Sequence, residues 1–315
     1  MNGLLEIFRK ELADSFNSKR FIILFVLVYM AGIATIYIAA QNIRTAVGDS
    51  TSNIFLNLFV VSGSNMPFSF PLFMSIFIPV IGIALGFDAV NSERTSGNLS
   101  RLLAQPIYRD SLINGKFLAG LTMITILIVS VVVIIAGLGL RLIGVPPEAE
   151  EILRLFIFVI VSILYGAFWM SLAVLFSVLF RKTSTSALAS ISVWIFLFLF
   201  MGIIANLIAG AVFPINQDST VVQVADYDNL YRMLNRISPG TLYAESIQAI
   251  LVPIMGSTSP TMMMIGIYSG LMPSPLPLSQ SLMLVWPQLV GLVALSAICF
   301  AVAYIKFMRE EIRST

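Results

Sequence analysis

The sequence contains no histidine and only one cysteine in 315 residues, and 11% of its residues are charged. Without histidine the chain lacks the commonest metal ligand and the commonest general base. Cys299 stands alone inside an apolar run, so no internal disulfide can form and redox compartment is not readable. The charged fraction is less than half of the ~25% of an ordinary soluble domain. A net charge of +2, with its basic residues beside apolar runs, offers no face for nucleic acid. No G-x-x-x-x-G-K-[ST] phosphate loop occurs, because Gly115-Lys116 lacks both the upstream glycine and a following hydroxyl.

What is abundant is apolar surface. Hydrophobic residues make up 58% of the chain before its 20 glycines are counted, against about 45–50% with glycine included in a soluble domain. One soluble core cannot bury that excess, so the chain reads as an all-α polytopic membrane protein. A helix needs about 20 apolar residues to cross the hydrocarbon. Six stretches qualify: 21–40, 71–87, 117–140, 155–180, 187–212 and 282–305, none with Asp, Glu, Lys or Arg inside those limits. The stretch 54–62 is too short to cross. Residues 247–272 are broken by Pro253 and by Gly256–Pro260, and read as a re-entrant or interfacial hairpin.

Charge placement orients the bundle. Six spans put segments 1–20, 88–116, 181–186 and 306–315 on one side, and these hold 13 of the 18 Lys and Arg residues. The basic excess marks the cytoplasm, so both termini are expected there, with a multi-pass chain in a cell membrane whose inner face is anionic. Arg44, Arg141, Arg154, Arg232 and Arg236 remain on the other side. A seventh span at 247–272 would throw Lys306, Arg309 and Arg313 outside. The first apolar run is longer than a signal-peptide core and follows a charged preface, so it reads as an uncleaved span. The whole chain, 1–315, reads as one transmembrane domain.

Three segments outside the spans carry pattern. Leu5, Phe8, Leu12 and Phe16 recur at helical spacing within 1–20, as in a helix lying in the membrane interface, apolar side down. A simple topogenic anchor would look the same. Segment 88–116 places Leu99, Leu102 and Leu103 after Ser96-Gly97 and before Gln105-Pro106, with Asp110 as an N-cap for the next helix. Two spans can be joined by a few residues. A connection of about 28 residues with an amphipathic element is either a docking surface for a cytoplasmic partner or a basic loop against anionic headgroups. The third segment, 213–281, places Leu230, Met233, Leu234 and Ile237 on a half-buried helix stopped by Ser238-Pro239-Gly240, with a second helix from Tyr243 to Ile250. Both would cap the outer end.

Catalytic chemistry is absent from these patterns. The six runs hold no carboxylate for ion coupling and no nucleophile with a base. Ser171, Ser190 and Ser192 read as helix-packing serines, and Asp88 as a cap or a partner of Arg94. The chain reads as a conduit without a motor.

Four features then resemble the permease subunits of type-2 ATP-binding-cassette (ABC) exporters. They are the opening helix with KEL at 10–12 and SKR at 18–20, the run Glu93-Arg94-Thr95-Ser96-Gly97-Asn98-Leu99 followed by Leu102-Leu103-Ala104-Gln105-Pro106-Ile107, Arg109 and Gly115-Lys116, the Ile237-Ser238-Pro239 turn, and the ending Phe307–Arg313. The resemblance implies that the opening helix (Leu5, Phe8, Leu12, Phe16) is the elbow helix. Glu93, Gly97, Leu99, Leu102, Leu103, Pro106 and Arg109 would form or brace a short coupling helix that docks on a separate cytoplasmic ABC ATPase. Ser238, Pro239 and Gly240 would belong to the outer cap. It also implies a second permease copy, identical or related, within surrounding membrane lipids. This chain would hold no cofactor of its own, with ATP and magnesium bound by the partner, and no nucleic acid. The spans offer Asn206, Gln288 and tryptophans but no fixed charge, which favours a hydrophobic or amphipathic substrate such as a drug, peptide or lipid. An ATP-independent carrier or channel, or a membrane scaffold or sensor without transport, are the competing classes.

Overall fold

A computed structural model describes residues 2–46, 54–60, 69–95, 97, 108–144, 146–216, 219–252 and 276–309. Among them there is no strand. Six helices are long and apolar enough to cross a membrane. Span 1 is Lys19–Ala46, span 2 Phe70–Gly86, span 3 Arg109–Ile143, span 4 Ala149–Leu179 and span 6 Leu278–Arg309; span 5 is Thr183–Val212. The end that carries the N-terminal helix and the basic segments is called inner, and the opposite end outer.

Most helices outrun the apolar stretches that define them. Span 3 begins at Arg109 rather than near 117, with Tyr108 as its N-cap, and Asp110 lies inside its first turn. The carboxylate expected to cap the helix instead accepts from Ser111 N at 2.7 Å. Span 3 stops at Gly144, whose φ of +78° is the left-handed conformation that glycine adopts without steric cost. Span 4 starts at Ala149 behind a capping box made by Glu148 and Glu151, in which each side chain serves the other residue's end of the turn. This start draws Glu150, Glu151 and Arg154 into the helix, outside the apolar run that predicted it.

Span 4 is the centre of the fold. In its most apolar stretch 61% of residues are buried within the chain, against 17% in spans 5 and 6. It packs chiefly on spans 2 and 6. Close approach to span 2 depends on two glycines one turn apart. A Cβ at Gly82 would lie 2.9 Å from the Gly166 carbonyl oxygen, and one at Gly86 would lie 2.7 Å from that of Met170. Small residues at this spacing let two helix backbones touch in a membrane, where apolar burial supplies no drive. Ser171 and Ser190 donate to the carbonyls four residues earlier, Ala167 at 2.6 Å and Ser186 at 2.9 Å, which removes their polar cost.

Between spans 1 and 2 a short helix, Ile54–Val60, sets Phe55, Leu56 and Phe59 into the core. Phe59 meets Phe70 edge-on at 5.8 Å. Beyond span 5 the outer segment forms two helices, Val221–Asn235 and Pro239–Leu251. Met233 and Ile237, expected on a half-buried face, are 70% and 60% exposed; the buried residue of that first helix is Asp228. The expected hairpin at 247–272 falls mainly outside the described residues, and its first five residues close the second outer helix.

Candidate functional site

The inner end is tied by charge. The N-terminal helix, Asn2–Phe16, packs along span 3. Its buried residue is Ile7, whereas Leu5 and Phe16 are 45% and 41% exposed. The predicted stripe is therefore divided: Phe8 and Leu12 are half-buried, with Leu12 packed on the core, while Leu5 and Phe16 face outward as an interfacial helix would present them to lipid. A Cβ at Gly115 would stand 2.8 Å from Ile7 Cγ2, so the glycine of the Gly115-Lys116 pair makes room for the N-terminal helix. One residue on, Lys116 Nζ donates to Glu11 Oε1 at 2.8 Å and to Glu93 Oε1 at 3.2 Å. Its side chain is 9% exposed, that of Glu93 12% and that of Glu11 21%. One lysine thus joins the N-terminal helix, the segment after span 2 and the start of span 3.

The segment after span 2 is held on its other flank by span 4. Val90 N and Asn91 N both donate to Ser177 Oγ, at 3.0 and 3.2 Å, and Arg94 Nη1 donates to Val178 O at 3.3 Å. Asp88, expected as a cap or a partner of Arg94, pairs with Arg20 of span 1 at 2.8 Å, and Arg20 also stands 5.7 Å over the Phe87 ring. Arg20 and Asp88, with Lys10, Glu11, Glu93 and Lys116, line a cleft of about 240 Å³ between the N-terminal helix and spans 1 to 4. The short helix Asn91–Thr95 ends the held segment. Gly97 has φ +69°, the glycine-favouring conformation expected at a sharp entry. Leu99, Leu102, Leu103 and Pro106 lie outside the described residues. Of the predicted docking set, Glu93 is in the lattice, Gly97 at the turn beyond it, and Arg109 at the first position of span 3.

The outer end is tied by a second cation, which sequence reading counted only as an outside charge. Arg154 is 1% exposed and makes five hydrogen bonds. It donates to Glu150 Oε1 from Nε and Nη2, at 3.1 and 2.6 Å. It also donates to Ile250 O at 3.0 Å, Ser281 Oγ at 3.1 Å and Leu276 O at 2.6 Å. Span 4, the second outer helix and the start of span 6 thereby share one guanidinium, whose rigid fork suits such a junction. Beside it Glu151, 3% exposed, accepts from Leu56 N at 3.3 Å and from Glu148 N at 2.8 Å.

The two outer helices meet at Arg236–Ser238, deep beside span 5. Five residues of that span, Phe196–Phe200, form a π-helical turn, a local widening of the kind often found at functional positions. Ser238 Oγ donates to the Leu197 carbonyl within it, at 3.2 Å. Leu197 is near the midpoint of Thr183–Val212, so the turn is level with the middle of the bundle. From there the second outer helix runs outward to Arg154. Tyr243 stacks on Tyr165 of span 4, with ring centres 4.4 Å apart, and shares a 3.0 Å hydrogen bond with Ser162. Pro239 is buried and Gly240 half-buried. Glu245 Oε2 accepts from Arg236 Nε and from Gln288 Nε2 of span 6, both at 2.9 Å. A buried carboxylate therefore does exist among the spans. It sits outside the six apolar runs, and its signal was one acidic residue in an otherwise uncharged stretch, 239–252.

Comparison with known proteins gives one family: a model described as ABC-2 family transporter protein matches residues 5–312. No individual curated protein matches the chain significantly.

Proposed function

The chain belongs to the ABC-2 transporter family and is a multi-pass membrane component of ABC transport, and from this premise we propose that it is the permease of an exporter driven by a separate cytoplasmic ATPase. Two copies, identical or related, form the pathway in the cell membrane, with both termini in the cytoplasm. ATP and magnesium bind the ATPase. The cargo is hydrophobic or amphipathic.

One observation carries the reading of ATPase coupling: Lys116 binds Glu93 and Glu11 together at the base of the 96–107 loop. A loop that merely joined spans 2 and 3 would need no such brace. With it, a push on residues 99–106 passes into span 3, the N-terminal helix and, through Ser177 and Val178, span 4. ATP-driven closure of two ATPase subunits would supply that push and tilt the spans as bodies. Two copies are supported by the exposed face of span 5, where Phe196, Leu199, Ile203 and Leu207 stand open, and by Arg236, whose side chain is half-exposed at the turn bonded to Leu197. A guanidinium at mid-depth is costly against lipid, so that side of the turn adjoins water or protein.

The test is affinity purification of the tagged chain from native membranes in mild detergent. A stoichiometric ATPase is expected, with its association lost when Leu102 and Leu103 are both changed to Asp while membrane insertion persists. A double variant that keeps its ATPase would remove the coupling assignment. Glu245 favours a second reading, a gradient-driven carrier, since such carriers use intramembrane carboxylates. Transport by the chain alone, insensitive to ATP depletion, would establish that reading instead.

A further inference from the structure

The turn between the outer helices holds two buried acceptors that lack a donor. Glu245 is 7% exposed and Gln288 is 5% exposed, and Oε1 of each has no hydrogen-bond partner among the described residues. The other carboxylate oxygen of Glu245 is served twice, by Arg236 and by Gln288. Turning the Gln288 amide over would not help, since its oxygen would then face Glu245 Oε2 and lose the bond already made. A bare acceptor in a low-dielectric interior costs about 1–3 kcal/mol, and native proteins leave few of them. Two on neighbouring side chains mark a place made for a donor.

Position and charge narrow the donor. Glu245 lies two turns into the helix that starts level with the middle of span 5, and Gln288 lies ten residues inside span 6. Arg236, bonded to the same carboxylate, has a side chain 45% exposed, so the pair lies one residue behind an open face. Asp228 pairs with Arg232 and Glu245 with Arg236 through one oxygen, which leaves Glu245 Oε1 as the open side of the carboxylate. An anion would bring more acceptors to oxygens that already lack donors. Water would supply only neutral donors, whereas an ammonium makes the stronger, charge-assisted bond to the carboxylate.

We propose that Glu245 and Gln288 form a subsite of the export pathway that takes a protonated amine of the transported molecule, its N–H groups donating to Glu245 Oε1 and Gln288 Oε1. A primary ammonium carries three donors and no acceptor, and its bond to the carboxylate is charge-assisted. Arg236 is a positioning residue, holding Glu245 by the opposite oxygen. The cargo is then an amphiphilic amine, its apolar body on the span faces and its head on Glu245. The proposal rests on the permease reading above for its place in a pathway.

The experiment measures saturable binding of tritiated 1-adamantylamine to the full complex, chain plus co-purified ATPase, in nanodiscs. The matched competitors are 1-adamantanol and 1-adamantanecarboxylate, which keep the same apolar cage. The expected result is displacement by unlabelled amine, displacement by the alcohol only at tenfold or higher concentration, and none by the carboxylate. Glu245→Gln and Gln288→Met are each expected to raise Kd at least tenfold. Gln288→Met keeps the Arg236–Glu245 pair, so it decides the matter if Glu245→Gln does not give a monodisperse protein. Equal competition by the alcohol, stronger competition by the carboxylate, or an unchanged Kd in the variants overturns the subsite. No saturable binding to a complex that hydrolyses ATP overturns it too, and leaves the permease reading in place. Amine binding by a chain that brings down no ATPase supports the subsite while removing the permease reading.

Discussion

At the inner end, Lys116 gathers two carboxylates from two other elements, and the surrounding cleft stays partly open to water. At the outer end, Arg154 gathers two backbone carbonyls, a serine and one carboxylate, and its side chain is 2% exposed. The inner tie joins charge to charge at the base of a loop; the outer tie joins a guanidinium mostly to neutral groups that would otherwise be unsatisfied. Partial solvent access weakens the first and leaves it responsive to small changes. Enclosure makes the second expensive to break. The difference suits a transporter that receives force at one end and must keep the architecture of the other.

The largest effect that tests this contrast is expected at Arg154. Arg154→Met keeps much of the volume and strands Ile250 O, Leu276 O and Ser281 Oγ without their donor. Breaking a buried charged junction in this way costs about 3–5 kcal/mol. Thermal unfolding in detergent, followed by intrinsic tryptophan fluorescence, should show a large loss of stability. An Arg154→Met protein as stable as the parent would mean that the outer end is held by its apolar contacts alone, and the contrast would fall.

The second effect is expected at Lys116. Lys116→Met removes the cation that Glu11 and Glu93 share, with Lys10 remaining 4.0 Å from Glu11, at an expected loss of about 1–3 kcal/mol. Its sharper signature is in assembly. Co-purification with the ATPase should fall more than stability does, because the brace beside the segment that joins spans 2 and 3 is gone. A double-mutant cycle with Glu93→Gln separates the pairwise coupling from the background. Additive losses, with no coupling between 116 and 93, would show that the lattice does not act as a unit.

How far these two ends could be read beforehand follows from what each depends on. The six spans were legible because twenty apolar residues in a row leave the chain few alternatives. The extra turns of spans 3 and 4 were not, because they rest on partners, such as the Ile250, Leu276 and Ser281 acceptors of Arg154, that lie 96 to 127 positions away in sequence. Glu93 and Lys116 could be singled out as motif residues, whereas their shared contact with Glu11 required the fold. The turn at Ser238-Pro239-Gly240 was legible from proline and glycine, while its depth beside the Phe196–Phe200 turn was not. The spacing of Gly82 and Gly86, four apart in an apolar helix, was a usable sign of the contact with span 4 that went unused. Glu245 was hidden because it lies outside the six apolar runs, in a segment whose depth in the bundle only the fold reveals.

The smallest effect is expected at Arg20, and it sharpens the comparison from the opposite side. Arg20 and Asp88 also form an inner ion pair, at 2.8 Å, yet the Arg20 side chain is 71% exposed. An exposed pair gains little over its hydration and contributes at most about 1 kcal/mol, and the Phe87 ring beneath the guanidinium adds a similar small amount. Arg20→Gln should therefore leave thermal stability nearly unchanged at moderate salt. Because open pairs are screened within about 10 Å at 0.1 M salt, any difference from the parent should shrink further as salt rises. Lys116→Met, whose ion pairs are far less exposed, should lose stability that depends much less on salt. Measuring both variants over a salt series therefore asks whether burial, rather than the mere presence of an ion pair, decides which inner contact bears force. If the Arg20 variant proved the more damaging of the two, the brace would have to be moved from Lys116 to the junction of spans 1 and 2.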